Sequence, residues 1–171
     1  MADPVGRIAL RWARRLLIWP VEAALVLALF LTARLLPISL ASAIMGGLFG
    51  LIGPFTPWQD RARRNLMLAM PDSSPADQRR VLHGMWRTLG RVIGEFPHVH
   101  RMVRNGRITF DGQQHLRGLD GGAILIGAHI GNWELGPYAA LECGHKVAAI
   151  YRPLNNQLLA GLLERRQANY G

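Results

Sequence analysis

Long apolar stretches dominate the first third of the chain. Between Leu16 and Trp58 only Glu22 and Arg34 are charged, and most other positions are Leu, Ala, Ile, Val or Phe. A membrane-spanning helix needs about 20 apolar residues. Leu16–Leu36 reaches that length if both charged residues lie near the interfaces, where long side chains can extend to the headgroups. The pattern predicts at least one membrane-associated helix.

A second apolar stretch, Leu35–Trp58, contains no charged residue but several residues that interrupt helices: Pro37, Gly46, Gly47 and Pro54. Arginines flank the whole apolar region on both sides, and the positive-inside rule would keep both flanks in the cytoplasm. A hairpin or a monotopic insertion therefore competes with a single span. A helical pair buried in a soluble core is the remaining alternative.

The middle of the chain has the pattern of one long amphipathic helix. Ser74, Pro75 and Asp77 form a start signal, with a capping hydroxyl, proline at the first helical position and a carboxylate three residues after the cap. Apolar residues then recur at helical spacing until Pro97, which ends the helix: Val81, Leu82, Met85, Trp86, Leu89, Val92, Ile93 and Phe96. We expect His98 and His100 to be polar residues at the helix exit rather than metal ligands.

After this helix the period of the pattern shortens. Residues 107–110 alternate, and residues 123–128 and 147–151 are short apolar runs, which are typical of strands. A helix from about Trp133 to Cys143 would join the last two runs into a βαβ unit. Asn155 or Asn156 is expected to open a final helix reaching Tyr170. The predicted fold class is α/β, with N-terminal membrane-associated helices preceding it.

Charge points to an anionic partner. The formal net charge is +9, and Lys146 is the only lysine, so arginines carry nearly all of the positive charge. Arg61, Arg63 and Arg64 directly follow the apolar region, where they suit the phosphates of lipid headgroups. Nucleic acid is not the expected partner, because the sequence lacks both aromatic platforms interleaved with basic residues and a recognisable reading helix.

The candidate chemistry lies at the end of the predicted central strand, at residues 129–134. His129 would leave the strand and Glu134 would enter the first turn of the next helix, with Gly131 allowing the tight turn that brings them together. Glu134 could then fix the tautomer of His129 and make its other ring nitrogen a better base. Backbone N–H groups at the helix start could stabilise an oxyanion. Taken alone, His129 could equally be an ordinary residue at the end of a strand.

The stretch from Gly121 to Glu134, including His129-Ile130-Gly131-Asn132-Trp133-Glu134, resembles the hallmark block of the lipid A biosynthesis acyltransferases. The likeness continues through residues 151–156 and 164–166, and backward through residues 64–71 and the long amphipathic helix. It covers nearly all of the chain and implies a glycerolipid-acyltransferase-like α/β domain.

The resemblance implies an enzyme of the bacterial inner membrane, acting at its cytoplasmic face. It would take a fatty acyl chain from acyl carrier protein and place it on a hydroxyl of a Kdo-bearing lipid A precursor. By the same likeness His129 is the base and Glu134 its partner, with no metal or organic cofactor. Gly131, Asn132 and Trp133 would shape the site, and Arg152 and Arg166 would hold phosphate or stabilise charge.

The chain departs from the family in its length, since members continue beyond the position equivalent to Gly171. We therefore expect residues 1–58 to be the basic, membrane-associated region, and residues 59–171 to be the N-terminal part of a truncated acyltransferase domain. Two alternatives remain open at this stage. The acceptor could be a glycerophospholipid or a phosphatidylinositol mannoside, or the chain could be an inactive fragment that only binds membranes.

Overall fold

The computed structural model describes residues 14–119, 121–150 and 154–161, and these residues are helical or irregular. A π-helical turn, Arg14–Ile18, leads into α1 (Trp19–Leu35), which is followed by α2 (Ile38–Ile52), α3 (Trp58–Ala69) and α4 (Pro75–Glu95). Two short helices, α5 (Val99–Arg104) and α6 (Gly136–Leu141), come later in the chain. Single 3-10 turns lie at Gly53–Phe55, Phe96–His98, Gln113–His115, Trp133–Leu135 and Gln157–Leu159.

The chain divides into two compact units. The first unit contains Phe30–Ile108 and Gly127–Glu134, and therefore most of the long helices and the whole segment from His129 to Glu134. The second unit contains the described parts of Met1–Leu29, Thr109–Ile126 and Leu135–Gly171.

Two helical segments, Arg15–Leu35 and Ile38–Phe55, are long and apolar enough to cross a membrane by length and composition. Within the most apolar 18 residues of each segment, the buried share is 11% for Arg15–Leu35 and 33% for Ile38–Phe55. Four large apolar side chains are exposed along one side of α2: Leu40, Ile44, Leu48 and Leu51. Exposed apolar surface of this kind fits membrane association better than burial in a soluble core.

The helices α2 and α4 pack closely through glycines. A Cβ built on Gly90 would meet the carbonyl oxygen of Met45 and lie 2.7 Å from Cβ of Phe49, and one on Gly94 would lie 2.5 Å from the carbonyl oxygen of Ala41. The two glycines are one helical turn apart, so they let the backbones approach as small residues do between membrane helices. The Gly46-Gly47 pair, expected to interrupt the second apolar stretch, lies inside the continuous helix α2.

The start of α4 confirms the predicted capping signal. Ser74 is the cap, its hydroxyl accepts a hydrogen bond from the backbone N–H of Asp77 at 3.1 Å, and Pro75 is the first helical residue. Leu82 and Trp86 are buried, as their helical spacing predicts. The helix ends at Glu95, two residues before Pro97.

His98 is completely buried in the turn that follows α4. Its Nε2 lies 2.8 Å from the carbonyl oxygen of Ala33, near the end of α1. The same carbonyl oxygen accepts from the backbone N–H of Leu36 at 3.3 Å, so His98 adds a second bond at the end of α1. The expectation of a polar histidine at the helix exit agrees with this position.

The α/β prediction is wrong for the part of the chain that the structure describes, where no strand forms. A strand needs a neighbour to pair its backbone N–H and C=O groups, and among the described residues the apolar runs at 123–128 and 147–150 have no such neighbour. Ile124 and Ile126 are 89% and 94% exposed, so this run is not a buried central strand. In the segment 107–110, the N–H of Arg107 bonds the carbonyl oxygen of Met102 and closes a turn.

In the second unit, short polar contacts hold the irregular segments. The Nδ2 of Asn156 donates to the carbonyl oxygen of Trp19 at 2.9 Å and to Oε2 of Glu22 at 3.2 Å. Its Oδ1 accepts from the N–H of Leu158, which confirms Asn156 as the residue that opens the next helical turn. His145 bonds the carbonyl oxygen of Leu116 through Nε2 at 2.7 Å.

Candidate functional site

The segment that carries His129 is a tight turn. The N–H of Ile130 donates to the carbonyl oxygen of Ala128 at 2.8 Å, which closes a three-residue turn centred on His129. Gly131 follows with a φ of 60°, in the left-handed region that glycine adopts without strain. The tight turn expected at Gly131 is therefore confirmed.

Asn132 joins this turn to the helical turn Trp133–Leu135. Its Oδ1 accepts from the backbone N–H of Glu134 at 3.3 Å, as a capping side chain does at a helix start. That N–H is one of the donors expected for an oxyanion, and here it is already bonded. Any backbone donor to an oxyanion would therefore have to come from another residue of the turn.

Trp133 supports the imidazole directly. The rings of His129 and Trp133 have centroids 4.7 Å apart and planes tilted by 32°. His129 is exposed, whereas Trp133 and Glu134 are half-buried. The indole therefore covers one face of a histidine that is otherwise exposed to solvent. His129, Asn132, Trp133 and Glu134 all lie within one six-residue segment of the first unit.

One further polar residue, Glu95, contacts this turn and is itself bonded by Ser42, and the sequence revealed neither. Glu95, at the end of α4, accepts a hydrogen bond from Nδ2 of Asn132 at 2.9 Å through Oε2. Its other oxygen accepts from the hydroxyl of Ser42, on α2, at 2.7 Å. The available signal was that Glu95 is the only carboxylate of α4 after Asp77, directly beside the close-packed Gly94.

A shallow cleft of about 280 Å³ opens next to Glu95. Its polar lining comes from Ser39, Ser42, Arg91, Glu95 and Arg107. Both arginines are exposed. Among the described residues, no carboxylate forms an ion pair with either arginine of the cleft.

The arginines proposed for lipid headgroups lie on α3. Arg61, Arg63 and Arg64 are exposed, and the guanidinium of Arg61 lies 5.1 Å from the ring centre of Trp58, which is also exposed. A helix with arginines, an exposed tryptophan and no buried residue suits a membrane interface. Arg152 and Arg166 lie outside the described residues.

Metal-binding geometry is missing from the described segments, where no group of three or more His, Cys, Asp or Glu side chains could hold an ion. His98 instead bonds a backbone carbonyl, as described above.

Residues 8–171 match the sequence model of the bacterial lipid A biosynthesis acyltransferases, which is nearly the whole chain. No curated protein and no solved structure matches the chain significantly. The match agrees with the resemblance carried by residues 121–134. The chain belongs to the bacterial lipid A biosynthesis acyltransferase family.

Proposed function

We propose that this protein transfers a fatty acyl chain from acyl carrier protein to a hydroxyl of a Kdo-bearing lipid A precursor, at the cytoplasmic face of the inner membrane. Family membership supports acyl transfer in lipid A biosynthesis. The observation that carries the mechanism is the turn at Gly131, whose positive φ leads the chain from an exposed histidine directly into the helical turn of Glu134.

In the proposed reaction His129 is the general base. One ring nitrogen takes the proton of the acceptor hydroxyl while the oxygen bonds to the carbonyl carbon of the acyl thioester. The tetrahedral intermediate then collapses, the C–S bond breaks, and the thiol of acyl carrier protein leaves with the proton from the imidazolium. Glu134 holds the tautomer and stabilises the imidazolium charge, and Trp133 restrains the ring from one face.

The helices before the site would hold the protein at the bilayer. The apolar surfaces of α1 and α2 insert among lipid chains, and the exposed arginines of α3 contact anionic headgroups. This arrangement supplies the acceptor laterally from the membrane, while acyl carrier protein approaches from the aqueous side.

The acceptor's anionic groups also need partners. Arg91 and Arg107 share a cleft with Glu95, which contacts the catalytic turn through Asn132. Guanidinium groups bind phosphate through paired hydrogen bonds, so this cleft suits a phosphorylated acceptor. Arg152 and Arg166 stay candidates for the same role.

Transfer of a labelled acyl chain from acyl carrier protein, with the intact protein in membranes, tests the proposal. We expect labelled product with a Kdo-bearing lipid A precursor. Competition with a glycerophospholipid and with a phosphatidylinositol mannoside then ranks the acceptors, and either one outcompeting the precursor would overturn the acceptor assignment. Vesicle binding without turnover of the thioester on any acceptor would instead favour a protein that only binds membranes.

The cleft is tested by replacing Arg91 and Arg107 with glutamine, which keeps much of each aliphatic stem. We expect the KM for the lipid acceptor to rise roughly tenfold or more, from lost hydrogen bonds to a charged group. The KM for the acyl donor should stay unchanged. Arg104→Gln, at an exposed arginine that does not line the cleft, is the control. Equal effects of all three substitutions would argue against a phosphate site there.

A further inference from the structure

Glu95 is placed where it can control the catalytic turn without belonging to it. It lies at the end of α4 and is 37 residues from Asn132 in sequence, yet the two side chains are joined by a hydrogen bond of 2.9 Å. Ser42 binds the other carboxylate oxygen from α2, 53 residues away. The carboxylate at the end of α4 is therefore bonded to α2 through Ser42 and to the turn through Asn132.

The anchor itself is rigid. Gly94 directly precedes Glu95, and a Cβ there would be only 2.5 Å from the carbonyl oxygen of Ala41 on α2. Both helices are thus locked together at the level of this carboxylate. The position of Glu95 is fixed by backbone packing rather than by a flexible surface contact.

The chemistry of a carboxylate then dictates the orientation of Asn132. An ionised carboxylate only accepts hydrogen bonds, whereas an amide side chain has one donating end and one accepting end. The NH₂ group of Asn132 must therefore face Glu95, which leaves its Oδ1 to accept the N–H of Glu134. Reversing the amide would place two acceptors together and remove the cap of the helical turn.

We infer that Glu95 is a positioning residue for the acyl transfer proposed above, acting through the polarity of Asn132 on the turn that carries His129 and Glu134. The inference rests on that proposed function for its kinetic consequence. Its structural part, the control of the turn by Glu95, stands on the hydrogen bonds alone.

Exchanging the amide of Asn132 with the carboxylate of Glu95 gives the sharpest test. Asn132→Asp alone places two carboxylates at hydrogen-bond distance, and we expect kcat to fall roughly tenfold to a hundredfold while both KM values change little. Adding Glu95→Gln restores an amide facing a carboxylate, and the new carboxylate at position 132 can still cap Glu134. The double variant should therefore recover to within about tenfold of the wild type.

The matched control is Gln59→Ala, which removes a side-chain hydrogen bond of 2.6 Å from Trp86 on the same helix, away from the turn. We expect it to lower thermal stability and leave kcat unchanged. If the double variant is as inactive as Asn132→Asp, the positioning role of Glu95 is overturned. The same holds if the fold-losses in kcat of Asn132→Asp and Glu95→Gln multiply in the double variant, because the two residues would then act independently.

Amide hydrogen exchange of the peptide spanning residues 129–135 separates this inference from the proposed function. Asn132→Asp should speed amide exchange in this peptide roughly tenfold. Adding Glu95→Gln should return the exchange rate toward that of the wild type, whether or not the wild type transfers acyl groups. Unchanged exchange in Asn132→Asp, with the fold intact by circular dichroism, would contradict the inference. Absence of transfer by the wild type, with these exchange changes present, would refute only the function.

Discussion

Replacing Gly90 with alanine tests whether α2 and α4 pack as closely as the structure has them. The added Cβ would overlap the carbonyl oxygen of Met45 and lie 2.7 Å from Cβ of Phe49. Carbon atoms in contact are ordinarily about 3.5–4.0 Å apart, so the helices would have to separate by roughly 1 Å. Overpacking of this kind costs about 1–3 kcal/mol.

Gly84→Ala is the matched control because Gly84 lies on the same helix with nothing within 4 Å of its added Cβ. Both substitutions gain about 0.5–1 kcal/mol from the better helix propensity of alanine. The difference between the two variants therefore isolates the cost of the close contact, about 1–3 kcal/mol. Gly84→Ala alone should slightly stabilise the protein.

Unfolding of both variants in the same detergent micelles, followed by circular dichroism, measures this difference. For a protein of this size 1 kcal/mol corresponds to roughly 2–4 °C in Tm. We expect the Tm of Gly90→Ala to lie roughly 2–12 °C below that of Gly84→Ala. If the two variants were stabilised equally, the close approach of the two helices would be refuted.

Two further predictions concern the membrane and the core. Replacing Arg61, Arg63 and Arg64 together with glutamine should weaken binding to anionic vesicles roughly a hundredfold, at about 1 kcal/mol per arginine. Binding to neutral vesicles should not change, and equal losses on both would show that the arginines act on folding instead. His98→Leu should lower the free energy of unfolding by about 0.5–1.5 kcal/mol, because the carbonyl of Ala33 loses one hydrogen bond and keeps only the one from the N–H of Leu36. His98→Gln can still donate a hydrogen bond and should recover part of the lost free energy of unfolding. If His98→Leu left the free energy of unfolding unchanged, the role assigned to this bond would be refuted.

The helices could be predicted because their signals are local. The cap at Ser74 and the apolar spacing through Leu82 and Trp86 specify α4 from neighbouring residues alone. A tight turn at Gly131 was likewise expected from the need to turn between His129 and the next helix, and its positive φ agrees with that. Such features depend on a few consecutive residues, which one sequence contains in full.

The strand predictions failed because the stability of a strand depends on pairing partners that a local pattern does not specify. The apolar run containing Ile124 and Ile126 has the composition of a buried strand, yet both side chains are exposed and the run forms no strand. The same limit hid Glu95, whose importance comes from Ser42 and Asn132, both far away in sequence. The glycine pair in α2 was misjudged for a related reason, since Gly46 faces Arg91 and Arg87 of α4 rather than breaking its own helix.

The central claim is that His129 removes the proton of the acceptor hydroxyl with the help of Glu134. Steady-state transfer from acyl carrier protein, measured for the wild type, His129→Ala and Glu134→Gln in membranes, tests it most directly. A general base typically contributes about a hundredfold to ten-thousandfold, so His129→Ala should lower kcat by that factor with little change in vesicle binding. Glu134→Gln should give a smaller loss in the same direction. Undiminished transfer by His129→Ala would contradict the account.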